Sequence, residues 1–162
     1  GGFSNTQYLR LNATNAVDTA TNLFNSTTPT SSVVTLGSGD FVNTNTKNYI
    51  MYAFASVKGY SKVGSYVGNG NADGTYVALN FRPAWIMIKR TDGAYSWSIF
   101  DAKRFDPYPD RLAPDLSDAE SAGGSVFIDF LSVLCTVTSG QVLQLGCHLH
   151  PTMGLCLRPQ FH

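Results

Sequence analysis

Acidic side chains crowd one stretch of this 162-residue chain: Asp101, Asp106, Asp110, Asp115, Asp118 and Glu120. Two carboxyl groups facing each other across a cleft can cleave a glycosidic bond, one as acid and one as base or nucleophile. Asp101 and Asp118 are the residues whose substitution tests that chemistry. Pro107 and Pro109 hold residues 105–110 in an extended loop, because the ring fixes φ and biases the preceding residue away from helix. Aspartates and serines in such a setting cap helices and close turns. The region therefore reads as a solvated loop, and no catalytic residue is assigned. The chain has no Walker loop, dinucleotide fingerprint or nucleophile motif.

Soft metal ligands concentrate at the other end. Cys135, Cys147, Cys156, His148, His150 and His162 all lie after residue 134. Thiolate and imidazole together suit zinc, and His148 and His150 would share one face of a strand. The spacing matches no standard zinc knuckle, and three cysteines make a poor disulfide framework. In Gly68-Asn-Gly-Asn-Ala-Asp-Gly74 the oxygens could ligate calcium, but the loop holds a single carboxylate, and a turn is expected. No metal and no cofactor is assigned. Aromatic rings are the remaining candidates. A ring face stacks well on a sugar, and Tyr95, Trp97 and Tyr108 stand in loop-rich surroundings. They are the candidate ligand-binding residues, with a core position for Trp97 as the competing reading.

The elements that would position these residues are short strands. Charged residues make up 14% of the chain, glutamate occurs once, and aromatics are 12%. Long helices need more Ala, Leu, Glu and Lys, whereas this composition favours strands joined by turns. Apolar runs of strand length fall at residues 8–11, 32–36, 48–57, 64–67, 75–79, 85–89, 97–100 and 126–131, bounded by Gly and Asp-Gly turns. Period two places Trp85, Met87 and Lys89 on one face of a strand and Ile86 and Ile88 on the other, so residues 85–89 form a central strand. Asp92-Gly93 marks a hairpin into the next run. A turn or two of helix is expected at residues 116–121, capped by Ser117. The pattern is all-β, an antiparallel β-sandwich or jelly roll with little helix. Its core is expected to contain Trp85, Ile86, Ile88, Trp97, Ile99 and Phe127.

Eleven basic and eleven acidic residues give zero net charge. That leaves no basic stripe for nucleic acid and no polybasic segment for an anionic membrane. No apolar run reaches spanning length, and no secretory leader pattern opens the chain.

Part of the chain matches itself at an offset of 103: Leu9 with Leu112, Asn12 with Asp115, Thr14 with Ser117, Asn15 with Asp118, Ala16 with Ala119 and Phe24 with Phe127. Matching size and polarity at one offset suggests two copies of one unit. Residues 1–61 then read as the back half of a first repeat and 62–162 as a second, so the chain begins in mid-repeat, as a fragment of a longer one would. Residues 48–57, with Tyr52 and Phe54 among small alanines, should be a well-packed strand. Half a sandwich leaves an apolar face that needs covering. The last acidic residue is Asp129, and composition changes near Ser132. Shifting the codons of Met153 to Phe161 by one nucleotide allows Trp-Ala-Phe-Ala-Ser, close to the Tyr52-Ala-Phe-Ala-Ser of the first copy. Residues 132–162 therefore read as written out of frame, which the coding DNA around Ser132 would decide.

Several motifs together resemble a repeat domain of marine and cyanobacterial phages, found in tail, fibre and virion surface proteins. They are Gly59-Tyr-Ser-Lys-Val-Gly-Ser-Tyr-Val-Gly-Asn-Gly70, Asp73-Gly-Thr-Tyr-Val77 and Phe81-Arg-Pro-Ala-Trp-Ile-Met-Ile-Lys-Arg-Thr-Asp92. Trp97 to Asp101, Pro107-Tyr108, Arg111-Leu112, Ser117 to Glu120 and Asp129 to Ser132 continue the pattern. The resemblance covers about residues 8–132 and implies a concanavalin-like β-sandwich. It also implies a non-enzymatic structural module at the virion surface, in a tail fibre, surface fibre or decoration protein, acting in assembly and display. Its partners would be copies of itself in a homo-oligomer or other virion proteins. The alternative is a carbohydrate-binding module for host glycans.

Overall fold

The computed structural model describes residues 3–71, 74–104, 110–120, 128–130, 134–137 and 142–144. Among the described residues eight short strands and one short helix form: β1 (Gln7–Tyr8), β2 (Asp18–Thr19), α1 (Asp40–Asn43), β3 (Thr75–Ala78), β4 (Trp85–Lys89), β5 (Ser98–Asp101), β6 (Ile128–Phe130), β7 (Leu134–Val137) and β8 (Val142–Gln144). The chain is thus mostly strand where it is regular, with almost no helix. No helix among the described residues is long and apolar enough to cross a membrane.

The described strands pair into three antiparallel sheets. One pairs β1 with β2, the second runs β3-β7-β6, and the third runs β5-β4-β8. β4 is central, as its sequence of apolar residues on both faces requires. Trp85 lies opposite Asp101 and Ile88 opposite Ser98 on one side, and Ile88 lies opposite Leu143 on the other. Burial alternates up to the last residue: Ile86 and Ile88 are fully buried and Trp85 and Met87 half-buried, but Lys89, on the face of Trp85 and Met87, is buried as well.

One apolar cluster draws on both three-stranded sheets. Ile86, Ile88 and Phe100 come from the β4 sheet, Ile128 from β6, and Leu79 and Phe81 from the link between them. Val77 and Phe130 pack on it from the β3 sheet. Burying each large side chain contributes about 1.5–3 kcal/mol, so this cluster is the main stabilising feature among the described residues. Of the expected core residues, Ile86, Ile88 and Trp97 are buried, Trp85 and Ile99 only half so, and Phe127 lies outside the described residues.

Several expectations need correction. The run at 8–11 contributes strand only at its start, since β1 ends at Tyr8. Residues 32–36 form no strand; the Thr30 hydroxyl accepts from the amides of Ser32 and Val33 and holds a local turn instead. Residues 64–67 form none either. The strand expected at 48–57 is neither regular nor packed: Ile50 is 83% exposed, Tyr52 80% and Phe54 69%. Only Val57 pairs, in an isolated bridge to Ser61. The physical reason is that no strand among the described residues lies alongside, and a strand's amides need a partner edge. The helix expected at 116–121 does not form: a turn at 113–116 is closed by Leu116 N–H on the Ala113 carbonyl, residues 117–120 are irregular, and residue 121 lies outside the described set. The one helix formed, α1, follows Gly39 with Asp40 in its first turn.

Candidate functional site

The chemistry-bearing side chains that come together do so where β4 and β5 meet the N-terminal segment. Lys89 ends β4 and is 1% exposed. Its ammonium donates to the carbonyls of Thr14 (3.1 Å), Arg90 (2.9 Å) and Tyr95 (2.6 Å). A buried ammonium is costly unless hydrogen-bonded, and three carbonyls meet its three donors. Burial pushes the Lys89 pKa below its ordinary value, and the nearby charge of Asp115 partly opposes this.

Trp97 lies beside it, 3% exposed. Its indole N–H donates to the Arg10 carbonyl at 2.7 Å, and its backbone N–H donates to Asp115 Oδ1 at 3.1 Å. Arg111 spans the same strand, donating from Nε to Ser98 Oγ (2.8 Å) and from Nη2 to the Trp97 carbonyl (3.2 Å). Ile99 and Leu112 bond backbone to backbone in both directions. Val17 N–H reaches the Thr91 carbonyl at 2.9 Å. Arg10 and Thr14 belong to one of the segments that match at an offset of 103, and Leu112 and Asp115 to the other. Both segments are therefore placed against β5 and the end of β4. Their contacts differ in kind: backbone carbonyls from the first, a strand bridge and a carboxylate from the second.

The hairpin connecting β4 and β5 carries a surface cluster. Arg90 forms a two-point ion pair with Asp92, and its guanidinium carbon stands 4.2 Å from the centre of the Tyr95 ring. Tyr95 is 45% exposed. The ring lies close over Gly93, where a Cβ would meet its edge. The hydrogen bond from Arg90 lowers the Asp92 pKa, and the same bond raises that of Arg90.

The three candidate ligand-binding residues are thus separated. Tyr95 is exposed, with a cation on its ring. Trp97 is corrected to a core residue: its faces are packed and its N–H is engaged. Tyr108 lies outside the described residues.

The carboxylates are held locally. Asp101 Oδ1 accepts from Lys103 N–H, Asp115 Oδ1 from Trp97 N–H, and Glu120 pairs with Arg104 at 2.7 Å. Asp118 is exposed, Asp110 is half-buried, and Asp106 lies outside the described residues. Among the described residues no group of three His, Cys, Asp or Glu side chains is arranged to hold a metal. Cys147, Cys156, His148, His150 and His162 lie outside those residues, and Cys135 is described only as backbone, opposite Val77 and Phe130. In the 68–74 loop, Asn69 donates to the Gly74 carbonyl and accepts from Asn71 N–H, which makes the described part a turn.

Sequence reasoning missed two features. One is the Lys89 cage, hidden because a lysine at a strand end ordinarily reads as solvated. The other is a cleft of about 420 Å³ near the N-terminus, lined by Phe3, Phe24 and Pro29 with Asn5, Gln7 and Thr28. Its signal is the pair of phenylalanines bracketing an Asn/Thr-rich stretch.

A family model described as "Domain of unknown function (DUF7483)" matches residues 2–142, and the chain belongs to that family. No curated protein and no solved structure matches the chain.

Proposed function

We propose that this member of the family is a non-enzymatic structural module of a bacteriophage virion, carried by a tail fibre, surface fibre or decoration protein. It acts by contact, in assembly and surface display, as part of a homo-oligomer on the particle exterior. The observation that carries this reading is the run from Tyr49 to Phe54, which leaves large apolar side chains on the surface. Extensive exposed apolar surface marks an interaction site. The ionisable groups support the same reading, because Lys89, Asp101, Asp115 and Glu120 are engaged in holding loops and strands. A concanavalin-like β-sandwich is the architecture we assign, supported by one apolar cluster fed from two antiparallel sheets. Mass spectrometry of purified particles of the phage encoding this chain tests the function. Its peptides should be recovered at structural-protein abundance, and their absence from intact particles overturns the proposal.

A second reading, carbohydrate binding, is favoured by the cleft beside Phe3 and Phe24. Its lining is uncharged and combines rings with amide and hydroxyl groups, the chemistry that suits a neutral sugar. Tyr95 is a further exposed ring. A glycan array should show binding that Phe24→Ala removes; an array without signal ends this reading.

A further inference from the structure

We propose that residues 49–54 are an unpaired strand that pairs antiparallel with the same residues of a second copy, across a two-fold axis at Tyr52. This pairing rests on the assembly reading above and names the surface it uses. Ile50, Met51, Tyr52 and Phe54 are between 64% and 83% exposed. Among the described residues no hydrogen bond reaches the backbone N–H or C=O groups of residues 50–54. None of residues 47–58 has a positive φ, so the segment is free to extend. An extended apolar run with unpaired backbone is a template for another strand. The occupant must therefore bring a row of donors and acceptors as well as apolar side chains.

A copy of the chain brings both. Residues 48–57 contain no charge, and eleven basic against eleven acidic residues leave no net repulsion between copies. Antiparallel pairing centred on Tyr52 sets Ile50 opposite Phe54, Met51 opposite Ala53, and Tyr52 opposite itself. Period two then gathers Ile50, Tyr52 and Phe54 on one face, while Ala53 makes room for Met51 on the other. Lys47 and Lys58 bracket the run. In this register Lys47 of one copy lies beside Lys58 of the next, and their repulsion confines the pairing to the uncharged stretch. Because these lysines are solvated, added salt screens them and strengthens association.

Sedimentation velocity of the full chain across a concentration series, with the variants Tyr52→Pro and Ala53→Pro, tests the pairing. Opposed residues in an antiparallel ladder alternate between bonded and non-bonded pairs. In the two-fold register either the Tyr52 or the Ala53 N–H is therefore in the ladder, and proline removes it. The wild-type chain should form a reversible dimer that tightens with salt, and at least one variant should raise the dissociation constant about tenfold or more. Neither proline breaks a bond within the monomer. Hydrogen exchange of the wild-type amides at 50–54, slowed as concentration rises, reads the same contact without any substitution. A monomer at every concentration overturns the proposal. So does a dimer indifferent to both prolines with unprotected amides, or open-ended aggregation in place of a dimer. A monomeric outcome leaves the virion reading standing, since peptides from purified particles decide that separately.

Discussion

Lys89 shows how one residue fastens the N-terminal segment to the sheet. Its ammonium is removed from water, and removal lowers its pKa while three carbonyls hold the charged form in place. The folded state binds this proton less tightly than the unfolded chain does. This group's contribution to stability therefore rises with pH between the lowered value and the ordinary lysine value. Lys89→Met removes the buried charge but leaves the carbonyls of Thr14, Arg90 and Tyr95 without this donor. Unmet buried carbonyls cost about 1–3 kcal/mol each, so a net loss of about 2–4 kcal/mol is expected in urea unfolding. A variant as stable as the parent would show that water replaces the ammonium. The surface carboxylates have the same sign, in the acid range. Asp92 is held below its ordinary pKa chiefly by Arg90, and Asp18 chiefly by the Thr19 N–H, with the Tyr8 hydroxyl next. Their stabilising contribution is present above the ordinary carboxylate range and lost as pH falls through the lowered values. NMR titration should give midpoints for both carboxyls below those of unfolded peptides, with Thr19 amide exchange accelerating below them; ordinary midpoints would refute the pairing. Ile86 and Ile88 were legible as core from period two alone. Lys89 was not, because the carbonyls that hold it come from residues 14, 90 and 95.

Elements form here where an apolar run finds a partner edge, and composition reveals only the run. β4 was legible to the residue because five consecutive side chains suit both faces of a central strand. The 48–57 run has equally strong strand character and forms none, because no described strand lies alongside to pair its amides. α1 was missed since four residues carry too little periodicity to register. The cost of breaking β4 follows from its position. Ile88→Ala should destabilise by about 2–5 kcal/mol, the range for a large core aliphatic, whereas Val67→Ala, at an 86% exposed position, should fall within about 0.5 kcal/mol of the parent. Thermal unfolding of both variants checks the contrast, and equal losses would mean that the cluster around Ile88 is not the stabilising core. The loop before α1 depends on a close approach. Gly37 N–H bonds the Leu23 carbonyl at 2.7 Å, and the Asn43 amide bonds the Gly37 carbonyl at 2.9 Å. A Cβ at Gly37 would fall on the Asn22 carbonyl oxygen, which is backbone and does not swing away. Gly37→Ala should therefore cost about 1–3 kcal/mol, the usual range for overpacking, with exchange at the Gly37 and Gly39 amides rising first. An unchanged melting temperature would show that the loop shifts freely.

At the scale of the molecule, the internal match at an offset of 103 draws a boundary at residue 61, while the contacts of the β4–β5 hairpin run across it. Arg10 accepts the Trp97 indole proton, Thr14 accepts from Lys89, and Val17 donates to Thr91. A chain cut at this boundary separates these arrangements. If residues 62–162 were self-sufficient, a fragment beginning at residue 62 would keep Trp97 buried and Lys89 bonded. The structure gives the opposite expectation. Without residues 3–17 the indole N–H has no acceptor, the lysine loses one of its three carbonyls, and the hairpin loses the amide bond at Thr91. Three lost hydrogen bonds, one of them to a charged group, total about 3–5 kcal/mol, before any loss of apolar contact at Trp97. That is a large fraction of the ordinary stability of a small domain, about 5–15 kcal/mol. The 62–162 fragment should show red-shifted tryptophan fluorescence and faster amide exchange in β4 and β5 than the full chain. Adding residues 1–61 as a separate peptide should reverse both changes in a saturable way. A fragment with native fluorescence and unchanged exchange would establish 62–162 as an independent unit, and would reduce the N-terminal contacts to ornament on a fold already complete.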